Sequence, residues 1–108
     1  MRCAIKVMLF DGDERFFGEG PARLLHAVEE HGSLRGAAAS MGMAYTKALR
    51  IIKTAEKALG FALTTRCAGG EGGGGSRLTD EGKEWLCKYE AYRSACIEAA
   101  DRLYTQFF

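Results

Sequence analysis

The 108-residue chain has a single proline, two histidines and almost no excess charge of either sign: fifteen Lys and Arg against fourteen Asp and Glu, a net of +1. It has no long apolar run. The longest stretch without a charged residue is Gly36 to Thr46, eleven residues, against the ~20 a membrane-spanning helix needs. A basic start leading into an apolar run with a small-residue cleavage site is also missing, so no signal peptide is expected and the cytoplasm is the expected location. Cys3, Cys67, Cys87 and Cys96 form no C-x-x-C pair, and their gaps fit no zinc ribbon or finger. Free, reduced, packing cysteines are the expectation. His26 and His31, if helical, point ~140° apart at ~100° per residue, a poor arrangement for sharing a metal. No nucleophile and no acid–base pair with a cleft can be assembled beside them. No enzyme, metal or cofactor is therefore expected. With 47% hydrophobic and 27% charged residues, the chain should fold as one globular domain over residues 1–108.

Glycine is what the sequence has in excess. Of fourteen, six lie between Gly69 and Gly75, interrupted by Glu71 alone. A phosphate-cradling P-loop would need Lys-Ser/Thr opening a helix directly after them, and Ser76-Arg77 leads instead into a short strand. The segment reads as the loose turn of a two-stranded wing over 61–78, with strands Phe61–Arg66 and Ser76–Leu78. Upstream, Cys3–Phe10, Asp11-Gly12-Asp13 and Arg15–Gly18 predict a hairpin over 3–18 with a type I′ turn. Gly20-Pro21 opens a helix that Gly32 ends. Ser33 caps a second, Leu34–Met41, stopped by Gly42, and a third runs Ala44–Leu59 to Gly60. Thr79 caps a last helix reaching about Phe107, with Asp80 and Glu81 at its positive end.

The two helices around Gly42 have the residues a helix-turn-helix requires. Ala37, Ala38 and Ala39 allow close crossing, Gly42 permits the left-handed turn, and Ala48 and Ile51 face inward. On a helical wheel Ala44, Ala48, Ile51, Ala55 and Leu59 point one way, flanked by Ile52 and Tyr45. Met43, Thr46, Lys47, Arg50, Lys53, Thr54 and Lys57 fill a ~120° arc opposite. That arc holds four positive charges and no acid, with Glu56 at its margin. A merely solvated face ordinarily mixes signs, so the arc points to nucleic acid.

Charge by segment agrees. Residues 33–66 carry six bases and one acid, +5, whereas 1–32 and 79–108 each carry four bases and six acids, −2. The arc would place Lys47 and Arg50 in the major groove and Lys53 and Lys57 on phosphates, with Arg35 supporting the backbone contact. Arg66 and Arg77 supply charge at the wing base, and wing glycines such as Gly72 and Gly73 let backbone N–H groups approach phosphates or the minor groove. Ser33 is counted with this set. Along the last helix Trp85, Tyr89, Tyr92, Cys96, Ala99 and Leu103 repeat in steps of four and three, a seam for a two-fold partner helix. Leu86, Ile97, Ala100, Tyr104 and Phe107 widen it.

Phe17–Pro21, His31–Ala38, Met41–Ala48, the run Gly69–Gly75 and Arg77–Gly82 together resemble the N-terminal DNA-binding domain of molybdate-responsive ModE-type regulators, relatives of LysR-type domains. The resemblance spans about residues 16–90. It implies a winged helix-turn-helix, mainly α with small β, reading double-stranded DNA as a homodimer. It also implies Thr46, Lys47 and Arg50 near bases or phosphates and Tyr45 near the backbone. Members of that family add C-terminal oxyanion-binding domains; with this chain ending at Phe108, no molybdate site or other small-molecule ligand is expected.

Two functions follow. The first is a dimeric, sequence-specific DNA-binding transcription regulator of bacterial or archaeal type. The second is a protein–protein interaction domain working through the C-terminal helix, with DNA binding weak or lost. A thiol switch at Cys67 beside Arg66 is a third reading, and it requires a depressed thiol pKa.

Overall fold

The computed structural model describes residues 1–67 and 75–108, which form two antiparallel hairpins and four helices. β1 (Leu9–Asp11) and β2 (Glu14–Phe17) precede α1 (Glu19–His31), α2 (Leu34–Ser40) and α3 (Tyr45–Leu59). β3 (Thr64–Cys67) and β4 (Gly75–Leu78) make the second hairpin, and α4 (Asp80–Phe107) closes the chain. The order is the α+β one that the sequence predicts.

The first hairpin is shorter than 3–18. Its register pairs Leu9 with Phe17, Phe10 with Arg15 and Asp11 with Glu14. Gly18 already caps α1, so β2 ends at Phe17 and leaves the residues before Leu9 no strand to pair with. Their backbone is held by α4 instead, where the Tyr89 hydroxyl donates to the Val7 carbonyl at 2.7 Å. The turn is also not type I′. Positive φ occurs only at glycines among the described residues, and a I′ turn over Gly12-Asp13 would need it at Asp13 as well.

α1 begins at Glu19, two residues before Pro21. Proline still sits in the first turn, where a backbone N–H would have no helical partner. Ser33 and Thr79 act as side-chain caps, accepting from the Gly36 and Gly82 N–H groups at 2.9 and 2.8 Å.

The core is built from Leu24, Leu25 and Val28 of α1, Ala37 and Ala38 of α2, and Ala48, Ile52 and Ala55 of α3. Phe17, Leu63, Leu78, Leu86 and Tyr89 close it on the hairpin side. Phe17 makes edge-on contacts with Trp85 and Tyr89, ring centroids 5.4 and 4.9 Å apart. The first part of the seam expected along α4 is shared with the domain's own core: Tyr89 is only 2% exposed, and Trp85, half-buried, packs on Phe16 and Phe17. The Trp85 Nε1 is buried without a hydrogen-bond partner among the described residues; the indole contributes ring area alone.

Burial, and next the Glu19 carboxylate, raise the Tyr89 phenol above its ordinary value of 10.0. The fold thus favours the neutral hydroxyl. Its stabilising contribution is intact below that pH and is lost as pH rises through the higher folded value.

Beyond Tyr89, α4 has no buried residue. Tyr92, Leu103, Phe107 and Phe108 are exposed, and Cys96, Ile97, Ala99 and Ala100 are half-buried. The overhang draws the molecule out to 56 Å along an axis where the other extents are 28 and 24 Å. Among the described residues no helix is long and apolar enough to cross a membrane.

Candidate nucleic-acid interface

The α2–α3 corner is tight because its contact residues are small. Ala37 and Ala38 are essentially inaccessible, and the Met43 and Gly42 N–H groups donate to the Ala38 and Ala39 carbonyls at 3.0 and 3.1 Å. Gly42 has φ 67°, a left-handed conformation that a side chain would strain. The wheel's inner set needs one adjustment. Ala48, Ile52 and Ala55 are buried, Ile51 and Leu59 are half-buried, and Ala44 is the exposed N-cap. Ile52 is thus the isoleucine buried in the core, and Ile51 lines a cavity together with Phe16 and Phe17 of the N-terminal hairpin.

On the outer face Thr46, Lys47, Arg50, Lys53 and Lys57 are all exposed, and Thr54 is half-buried. Arg35 of α2 lies with its guanidinium carbon 4.3 Å from the Tyr45 ring centroid. This cation–π contact holds a positive charge beside the start of α3. Ser33 is engaged as the α2 cap. Its role in this fold is to fix the approach of α2.

Glu56, the one acid on α3, meets only Lys53 of the arc and is otherwise turned away from it. Its Oε2 accepts the Leu63 N–H at 2.7 Å at the root of the second hairpin, and its Oε1 is 3.5 Å from Lys53 Nζ. With 14% of the side chain exposed, Glu56 works as a structural bracket. Glu56→Ala strands the Leu63 N–H and should cost about 1–3 kcal/mol in denaturant unfolding, with Glu56→Gln losing less because an acceptor remains. Wild-type stability in both variants would show the bracket to be unimportant.

The wing arginines are not one cluster. β3 and β4 pair Thr65 with Arg77 and Arg66 with Ser76. Since cross-strand partners share a face and neighbours alternate, Arg66 and Arg77 project from opposite faces. Both are exposed. Gly32 anchors the wing, its carbonyl accepting the Ser76 N–H at 2.8 Å. Gly72 and Gly73 lie outside the described residues.

One group of cations escapes the sequence reading. A cavity of about 710 Å³ runs beside α3, and its lining includes Lys47 and Arg50 of that helix together with Lys6, Arg15 and Arg23. No sequence signal links these three, because the segment before β1, the hairpin and α1 bring them together only in space. Among the described residues no group of three or more His, Cys, Asp or Glu is placed to hold a metal.

Comparison with known proteins agrees with this geometry. The family model for "Bacterial regulatory helix-turn-helix protein, lysR family" matches residues 22–83. A "Molybdenum transport protein ModE" from Azotobacter vinelandii is 38% identical over 81 residues, covering 75% of this chain and 30% of that protein. Its counterpart from Herbaspirillum seropedicae is 33% identical over 90 residues, 83% and 32%. The chain thus spans about a third of the length of these curated relatives. Among solved structures, a CbnR_DBD–DNA complex superposes with a TM-score of 0.61 at 22% identity, covering 81% of this chain and 94% of that one. ArgP from Mycobacterium tuberculosis gives 0.54 at 24%, covering 82% and 30%. Both share the fold.

Proposed function

The chain belongs to the LysR family of bacterial regulatory helix-turn-helix proteins, and from that premise we propose that it binds double-stranded DNA sequence-specifically, as a dimeric transcription regulator acting in the cytoplasm. The family and fold are those of DNA-binding regulators. The observation that carries the reading is the outer face of α3, where Lys47, Arg50, Lys53 and Lys57 are exposed while Glu56 is turned into the hairpin root. In this geometry the first two turns of α3 enter the major groove, with Thr46, Lys47 and Arg50 at base edges. Lys53 and Lys57 take phosphates, Arg35 and Tyr45 support the backbone contact, and Arg66 or Arg77, whichever wing face meets DNA, adds one more.

A dimer neutralising about six to eight phosphates should bind duplex DNA with log K falling against log salt at a slope near −5 to −7. A flat titration sinks the reading. The dimer is proposed to form through Tyr92, Cys96 and Leu103 of α4, extended by Phe107. Sedimentation of wild type should give a dimer that Leu103→Asp with Phe107→Asp converts to monomer; a wild-type monomer at tens of micromolar would remove the dimer from the proposal.

The same overhanging face favours a second reading, a protein-interaction domain. It requires function to survive loss of Lys47 and Arg50 and to fail on changes at Tyr92 or Leu103.

A further inference from the structure

The N-terminal third carries six acids against four bases, yet the fold separates them. Three of the four bases, Lys6, Arg15 and Arg23, line the cavity beside α3 that Lys47 and Arg50 also line. Glu19 is the one carboxylate in that lining, and its Oε1 is taken by Arg93 Nη2 at 2.9 Å. None of the five cations makes an ion pair among the described residues. Arg15 donates only to the Met8 sulfur, at 3.3 Å. Like charges repel, and a concave surface focuses their field, so five of them around one cavity form a standing demand for anions.

Lys47 and Arg50 belong both to this lining and to the exposed arc of α3, so the cavity continues the face that is proposed to read DNA. We propose that it seats backbone phosphates flanking the major groove, with Lys6, Arg15 and Arg23 as a second phosphate clamp beside α3, in the cavity that Lys47 and Arg50 also line. The inference rests on the DNA-binding reading and extends its footprint to a segment whose total charge argues against any such role. The segment before β1, the hairpin and the start of α1 position the clamp. All three side chains are exposed, so they can be changed without opening the core.

The test is fluorescence anisotropy on a duplex at several salt concentrations, with wild type, the triple variant Lys6→Ala/Arg15→Ala/Arg23→Ala, and the charge-keeping Lys6→Arg/Arg15→Lys/Arg23→Lys. The alanine triple should lose roughly 10-fold in affinity for each phosphate contact removed at 0.1 M salt, and its salt slope should be shallower by about 1 for each. The charge-keeping triple should retain most of the slope, and thermal melting should leave both variants folded. Steep wild-type binding that the alanine triple reproduces overturns the clamp and leaves the DNA reading standing. No duplex binding by wild type overturns both. Binding of inorganic pyrophosphate to wild type, together with an unchanged DNA slope in the alanine triple, assigns the cavity to a small anion and overturns the clamp. If the alanine triple melts early, single Arg23→Ala decides by the same slope criterion.

Discussion

Arg50→Ala is expected to weaken binding to the preferred duplex by roughly 5- to 150-fold, the equivalent of the ~1–3 kcal/mol carried by one good base contact, and to weaken binding to a scrambled duplex far less. Arg50 is exposed on the outer face of α3, within the N-terminal half that a recognition helix places against base edges. Its planar fork matches two acceptors at once, as on a guanine edge, which a lysine cannot reproduce. Arg50→Lys should therefore recover the nonspecific part of the affinity and little of the specific part. Lys53 is the control. It lies one turn further along and 3.5 Å from Glu56, which already offsets part of its charge, so Lys53→Ala should weaken all sequences alike and flatten the salt slope by at most about 1. Equal losses for Arg50→Ala on both duplexes would reduce Arg50 to a phosphate contact.

The helix-turn-helix was legible because its requirements are local. Small residues at Ala37 and Ala38, glycine at the turn, capping serine and threonine, and a one-sided charge arc each leave a mark within a few positions. What the sequence concealed depended on register or on distant partners. A four-three repeat along α4 records burial without saying against what, so Trp85 and Tyr89, which pack on Phe16 and Phe17, read the same as Tyr92 and Leu103, which are exposed. Ile51 and Ile52 lie at the two margins of the apolar arc, about 100° apart, and which one is buried is decided by where α1, α2 and the hairpin sit. The opposite faces of Arg66 and Arg77 required the β3–β4 pairing. Residues 3–8 have strand-like composition, yet β2 is too short to pair with them. Composition by segment likewise averaged Lys6, Arg15 and Arg23 with six acids of which only Glu19, paired with Arg93, shares their cavity, so the segment total hid the cationic lining.

Gly82→Ala should destabilise the domain by about 3 kcal/mol or more and lower its melting temperature by at least roughly 10 °C, although alanine is the better helix former by about 1 kcal/mol. A Cβ at Gly82 would lie 2.3 Å from the Leu63 carbonyl oxygen and 3.0 Å from its carbon. Neither side can yield cheaply. The Leu63 carbonyl accepts the Thr79 N–H at 3.0 Å, the Leu63 N–H is bound to Glu56 at 2.7 Å, and Thr79 Oγ1 donates to the Ala62 carbonyl at 2.6 Å. The Leu63 side chain is fully buried. Gly20→Ala is the matched comparison, since a Cβ there meets nothing within 4 Å and the change should be neutral or stabilising by up to about 1 kcal/mol. Thermal melts followed by circular dichroism separate the two, and a Gly82→Ala protein that melts at or above wild type would mean that the contact between α4 and the Leu63 backbone is not tight. The same joint ties α3, through Glu56, to the root of the wing and to the first turn of α4. Loosening it should therefore reduce duplex affinity even at temperatures where the Gly82→Ala domain is still folded, because the wing and the recognition helix would no longer be held in one geometry.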